Sequence, residues 1–295
     1  MSELKSAACT PETKAILEKL TAGSSFEITA RDPEKAVASL SDLAPGTQVY
    51  IAHIPGDPWA RVVETALKVR DAGFTPIPHV VARNIKDAAD LEAFLNVLVG
   101  ELGTDRCLCL GGDVDNPPGA FTMSRQLIET GLFPKMGIKR IGLACYPEPH
   151  PKAPVEVFNE ELQKKFALAT EQGLDPWIVT QFAFESEPIM ARLKELRAQG
   201  VTGPVRVGVS GPAGLKSLIS FSMRCGVGNS LKALTSRPTS IGKLMTKHTP
   251  DEVVAGLVTG LAQAPELDVE GLHFFTFGGV PASAAWMKDA HAAAA

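Results

Sequence analysis

Eight short apolar runs recur along the chain, most of them rich in β-branched or aromatic residues and all but the last followed by a segment with helical spacing or a helix cap. A strand that is apolar along its whole length needs cover on both faces. Parallel strands joined by crossover helices supply that cover. The runs fall at 24–30, 48–54, 75–82, 106–113, 140–146, 176–184, 205–210 and 272–277. Helical segments fall between them at 32–42, 59–72, 86–102, 122–130, 155–172 and 187–199, with two, 215–225 and 251–264, between the seventh run and the eighth. Strict alternation of this kind predicts an α/β fold, a closed (β/α)8 TIM barrel, and a chain of 295 residues suits one such barrel as a single domain over 1–295. A short amphipathic helix over 11–21, with Thr10 as N-cap and Pro11 at its first position, precedes the barrel as a lid over its bottom. The Ala-rich end over 291–295 reads as a frayed helix terminus.

Charge and cysteine usage narrow the function classes. With 29 basic against 33 acidic residues the net charge is -4, and no basic cluster suits a nucleic-acid backbone. The opening MSELKSAACTPETK has no apolar core of a signal peptide, and no run approaches the length of a membrane span. A cytoplasmic protein with no nucleic-acid or membrane partner is expected. Three of the five cysteines, Cys107, Cys109 and Cys145, lie inside apolar runs, as reduced core thiols do.

The fourth run, Arg106-Cys-Leu-Cys-Leu-Gly-Gly-Asp113, ends abruptly in two glycines and a carboxylate. Asp113 then emerges either at a site or as the cap of a turn. The same pattern repeats at other strand ends, and a barrel of this kind gathers those ends at one mouth. The candidates so collected are Glu27, His53, His79, Asp113, Tyr146, Glu148, His150, Gln181, Glu185, Ser210 and Thr276. Paired carboxylates Glu27 and Asp113 suit a general acid and its electrostatic partner. His53 and His79 with the carboxylates would suit a metal instead, although no His-x-His pair exists and a lone strand histidine is as often a packing residue. Ser210-Gly-Pro-Ala-Gly214 has the form of a phosphate-binding turn, or simply of a glycine-rich turn before a helix.

Taken as a set, Ser25-Phe26-Glu27, Pro78-His79, Leu110-Gly-Gly-Asp113, Ala144-Cys-Tyr146-Pro-Glu-Pro-His150-Pro, Thr180-Gln181-Phe-Ala-Phe184 and His273-Phe-Phe-Thr276 resemble the methylenetetrahydrofolate reductase family in order and spacing. The resemblance implies a barrel that holds FAD, takes hydride from NADH or NADPH, and reduces 5,10-methylenetetrahydrofolate to 5-methyltetrahydrofolate or runs the reverse. It implies Glu27 as the general acid that opens the imidazolidine ring, and Asp113 beside pterin and flavin. It places Gln181 and Phe184 at the folate. It gives His53, His79, Gly112, Ala144, Tyr146, His150 and Lys165 to the cofactor. A folate small molecule is the implied partner, and self-association into a homo-oligomer stays open.

The sequence also departs from that pattern. Ile28-Thr-Ala-Arg31 replaces an aromatic and proline run, Gly111 stands where an arginine is usual, and Ala52 or His53 where a threonine is expected. These departures bear on flavin affinity, hydride donor and direction. The folate-facing Glu27, Asp113 and Gln181 are intact. The rival readings are a pterin-binding methyl-transfer protein without redox chemistry and a non-catalytic folate-binding barrel.

Overall fold

The computed structural model describes residues 1–150, 154–227 and 247–294, so Pro151 of the fifth-strand motif and the terminal Ala295 lie outside the described residues. The strands are β1 (Ser25–Thr29), β2 (Gln48–Ala52), β3 (Thr75–Val81), β4 (Arg106–Leu110), β5 (Arg140–Cys145), β6 (Asp175–Thr180), β7 (Val205–Ser210) and β8 (Val269–Phe275). They close into a barrel in the order β1 to β8. The ladders of β2 with β3, β3 with β4, β4 with β5 and β7 with β8 are parallel. The helices are α1 (Ser2–Ala7), α2 (Pro11–Ala22), α3 (Pro33–Ala38), α4 (Trp59–Asp71), α5 (Ala88–Gly100), α6 (Ser124–Glu129), α7 (Leu132–Met136), α8 (Val155–Glu171), α9 (Ser186–Ala198), α10 (Leu215–Cys225), α11 (Asp251–Gln263) and α12 (Val280–Ala292). No helix among the described residues is long and apolar enough to cross a membrane.

The expected alternation holds, and the differences lie at element ends. β2 stops at Ala52 and β6 at Thr180, so His53 and Gln181 fall just beyond their strands. α3 ends at Ala38 instead of running on to 42, and α5 starts at Ala88 because Asp87 caps it by accepting from Asp90 N–H. Three helices go beyond the sequence expectation: α1 and α7 are only six and five residues long, and α12 hides its period in small residues. The C-terminal segment is no loose end, since His291 Nδ1 lies 2.8 Å from Thr21 Oγ1 on α2.

The chain divides into two compact units, one of Met1–Phe26, Cys145–Asn159 and Val179–Ala295, the other of Glu27–Ala144 and Glu160–Ile178. In the second unit the strand alternation is explicit. Trp177 Nε1 donates to Tyr50 Oη at 3.1 Å, and the indole lies so close to β5 that a Cβ on Gly142 would fall 2.7 Å from its ring and from Leu108 Cδ1. Tyr50, Leu108, Gly142 and Trp177 therefore share one face, where glycine makes room for tryptophan. The opposite parity carries Cys109, whose Sγ approaches Ser124 O at 3.7 Å on the helix side. Burial pushes the Cys107 thiol well up and the Cys109 thiol up to about 12, so both keep their protons near neutrality.

In the first unit, α2, the expected lid, ends against strand beginnings. A Cβ on Gly23 would sit 2.1 Å from Glu270 O, one on Gly271 would sit 2.2 Å from Gly23 O, and the Arg206 guanidinium donates to Gly23 O. Bare backbone on both sides permits that contact. The N-cap is the expected Thr10, whose hydroxyl accepts from Thr13 N–H at 3.2 Å while Thr10 N–H donates to Thr13 Oγ1 at 3.0 Å.

Candidate functional site

Glu27 is the third residue of β1, after Phe26, whose ring stacks on Phe274 at 5.0 Å. Strand alternation turns Glu27 to the face opposite Phe26, and there its Oε2 lies 3.6 Å from Nε2 of His79 on β3. The His79 side chain is only 5% exposed and that of Glu27 22% exposed. The separation is too long for a direct hydrogen bond and short enough for an ion pair when the imidazole is protonated. His79 also presents its ring edge to Tyr50 with centroids 6.3 Å apart. Glu27, His79, Tyr50 and Trp177 thus form a continuous row, with the carboxyl at its more open end. A carboxyl and an imidazole side by side are groups of the kind that carry proton transfer.

His53 does not join that row. It follows β2 with the parity of Ile51, its Nε2–H donates to Asp57 O at 2.9 Å, and its ring meets Phe94 of α5 edge-on at 6.4 Å. Trp59 stacks on the same Phe94 at 5.1 Å. His53 is buried, and its Nδ1 has no hydrogen-bond partner among the described residues. Burial holds its pKa below the ordinary 6.5, against the raising influence of the Asp57 carbonyl and of the Asp57 and Asp90 carboxylates. This is a packing histidine on the helix side. The residue of β2 with the parity of Tyr50 is Ala52.

At the end of β4, Gly112 takes a φ of +86°, and a Cβ there would come within 2.6 Å of Val81 Cγ1. Only glycine fits that turn, and it delivers the exposed Asp113. Gly111 is different, for its Cβ position has no neighbour nearer than 3.9 Å. Arg83, which sequence reading missed, ties the loop that follows: its N–H donates to Gly111 O at 3.0 Å, Nη1 to Val114 O at 2.8 Å and Nε to Thr122 O at 2.9 Å. The only sequence signal would have been an arginine just after a strand facing a long proline- and glycine-containing loop. Lys165 on α8 lies near Cys109 on the helix side of β4, where it opposes, without overcoming, the effect of burial on that thiol.

The first unit carries the remaining candidates. Ala144 belongs to the other unit and is half-buried near the end of β5; beyond that strand, Tyr146, His150 and Phe158 form a ring cluster with centroids 4.9 to 5.1 Å apart, and Glu148 is buried in the same loop. Gln181 N–H donates to Cys145 O at 2.7 Å, and its Oε1 accepts from Phe182 N–H at 3.1 Å. The Thr180–Gln181 peptide runs so close to β7 that a Cβ on Gly208 would lie 2.3 Å from Thr180 O. Phe184 meets Phe182 edge-on at 5.7 Å and His248 at 5.6 Å. Phe182 also touches Phe275 and Phe277, and Phe221 stacks on Phe277 at 4.3 Å. Repeated Phe-x-Phe spacing at 182/184 and 275/277 is the sequence trace of this aromatic group. Ser25 Oγ and His273 Nδ1 lie 3.0 Å apart. Among the described residues no group of His, Cys, Asp or Glu comes together as metal ligands.

No family model matches the chain. Among solved structures, it is similar to a protein from Clostridium thermocellum that binds two copies of 5-methyl-5,6,7,8-tetrahydrofolic acid, at 12% identity over 91% of this chain and 94% of that one, with a TM-score of 0.61. It also aligns with the dihydropteroate synthase of Thermus thermophilus, at 16% identity over 91% of this chain and 93% of that one, with a TM-score of 0.47. At such identities the likeness is one of fold.

Proposed function

We propose that this barrel binds a reduced folate and interconverts 5,10-methylenetetrahydrofolate and 5-methyltetrahydrofolate, with NADH or NADPH as the hydride donor. The observation that carries the reading is the Glu27–His79 pair, a carboxyl set 3.6 Å from a buried imidazole on the inward faces of β1 and β3. Ring opening of a methylene-bridged folate needs one proton at the bridging nitrogen. Glu27 would give it, and His79 would return a proton to the carboxylate left behind, or take one from the acid when the reaction runs in reverse. Asp113, on its exposed turn, suits the N–H-rich edge of a pterin. Gln181 has its carbonyl engaged by Phe182, which leaves the amide NH2 as the end that meets the ligand. The folate bound by the Clostridium thermocellum protein makes 5-methyltetrahydrofolate the first ligand to try.

FAD is the proposed cofactor, and the residues fit it in part. In the second unit the bare backbone of Gly112 and the small Ala144 suit close approach of a flat cofactor, and in the first the Tyr146–His150 rings suit stacking, whereas His53 and Lys165 lie on the helix side. When bound, FAD would supply the relay of hydride between nicotinamide and folate. The test is a spectrum of the purified protein followed by assay of 5-methyltetrahydrofolate oxidation and of methylenetetrahydrofolate reduction, with and without added FAD. Turnover in either direction is expected. Tight binding of 5-methyltetrahydrofolate without any turnover would leave a folate-binding barrel and remove the redox assignment.

A further inference from the structure

We propose that Arg83 is the positioning residue for Asp113, a clasp that fixes the recognition turn after β4. The bonds lie on both sides of the carboxylate. The main-chain N–H of residue 83 holds Gly111 O, two residues before Asp113, a bond that survives substitution of the side chain, and the Arg83 guanidinium holds Val114 O, one residue after it, at 3.0 and 2.8 Å. The same guanidinium reaches Thr122 O at 2.9 Å, so one planar fork binds both ends of the 113–122 loop. A third anchor is steric. A Cβ on Gly119 would lie 1.8 Å from Lys86 O, so the loop lies backbone on backbone across the segment that carries Arg83. The far end is finished by Gln126, whose Oε1 accepts from the N–H groups of Thr122 and Met123 at 2.7 and 3.1 Å.

Asp113 lies outside regular secondary structure, and these anchors fix the main chain that carries it. A lysine at 83 has one ammonium on a flexible stem and cannot reproduce two fixed N–H bonds to carbonyls of residues 114 and 122. The inference rests on the folate reading for what Asp113 recognises, but the clasp itself does not.

The experiment has two independent arms. Hydrogen exchange of the 113–122 peptide is compared in the wild type, Arg83→Met and Arg83→Lys, the last serving if the first does not fold. Affinity for 5-methyltetrahydrofolate is then measured in a cycle of Arg83→Met with Asp113→Asn. Exchange is expected to quicken about tenfold in Arg83→Met and less in Arg83→Lys, and folate affinity to fall about tenfold in Arg83→Met, with little further loss once Asp113 is already changed. Unchanged exchange would overturn the clasp. Quickened exchange with additive affinity losses would also overturn it, since Arg83 would then not act through Asp113. Failure of the wild type to bind the folate would instead refute the functional reading, while the exchange arm still decides the clasp.

Discussion

His53 Nε2 donates to the carbonyl oxygen of Asp57 at 2.9 Å, and that bond fixes the orientation of the imidazole beneath α5. Its pKa in the folded protein is below 6.5, chiefly through burial, so the unfolded chain takes up a proton at a higher pH than the folded one. The sign follows directly. Stability from this group is complete above about 6.5 and is lost as the pH falls from there through the folded value, at up to about 1.4 kcal/mol per pH unit. Urea unfolding between about pH 5 and 7.5 should therefore show a steeper acid-side loss in the wild type than in His53→Gln. Parallel curves would contradict the packing role.

Gln181 is expected to separate folate recognition from loop integrity. Gln181→Ala removes both the bond to Phe182 N–H and the amide donors, and should weaken 5-methyltetrahydrofolate binding by about 1–3 kcal/mol. Gln181→Glu keeps an acceptor for Phe182 N–H but offers no NH2, so it should weaken folate binding while leaving thermal unfolding nearly unchanged. Nicotinamide binding should not move in either variant. A change confined to the nicotinamide step would remove Gln181 from the folate site.

The strands are legible in the sequence because burial on both faces writes itself as uninterrupted apolar runs, and Glu27 is legible because alternation against Phe26 turns it inward. His53 is misplaced by the same rule applied too far. Counting parity from Tyr50 puts Ala52, not His53, on the inward face, whereas extending the run to 54 makes the histidine a strand-end group. α12 escapes notice because alanines and a serine give little contrast in period, although Pro281 stands at its start where a helix accepts proline. Arg83 leaves no motif at all, since its partners are main-chain carbonyls whose positions depend on how the β4–α6 loop folds back. The Phe221–Phe277 stack likewise joins residues far apart in sequence.

Gly111 offers a direct probe of the cofactor. Its Cβ position meets nothing closer than Ser124 N at 3.9 Å and Met123 Cα at 4.0 Å, so a side chain can leave the backbone there without a clash. If flavin phosphate or carbonyl groups pass this turn, Gly111→Arg should tighten FAD binding by about 1.5–3 kcal/mol, roughly tenfold to a hundredfold, in a fluorescence titration of apo protein. Unchanged affinity would place the flavin elsewhere. Full activity in demonstrably flavin-free protein would refute FAD as cofactor.

The proton on Glu27 is the centre of the account, and the Glu27→Gln variant tests it. The substitution keeps shape and hydrogen-bonding capacity but removes the acid, 3.6 Å from His79 Nε2. Rapid-mixing measurement of the two half-reactions should show the folate step slowed by about a hundredfold to ten-thousandfold, with nicotinamide oxidation by an artificial acceptor and 5-methyltetrahydrofolate affinity close to wild type. Equal loss in both half-reactions, or an undiminished folate step, would contradict the assignment.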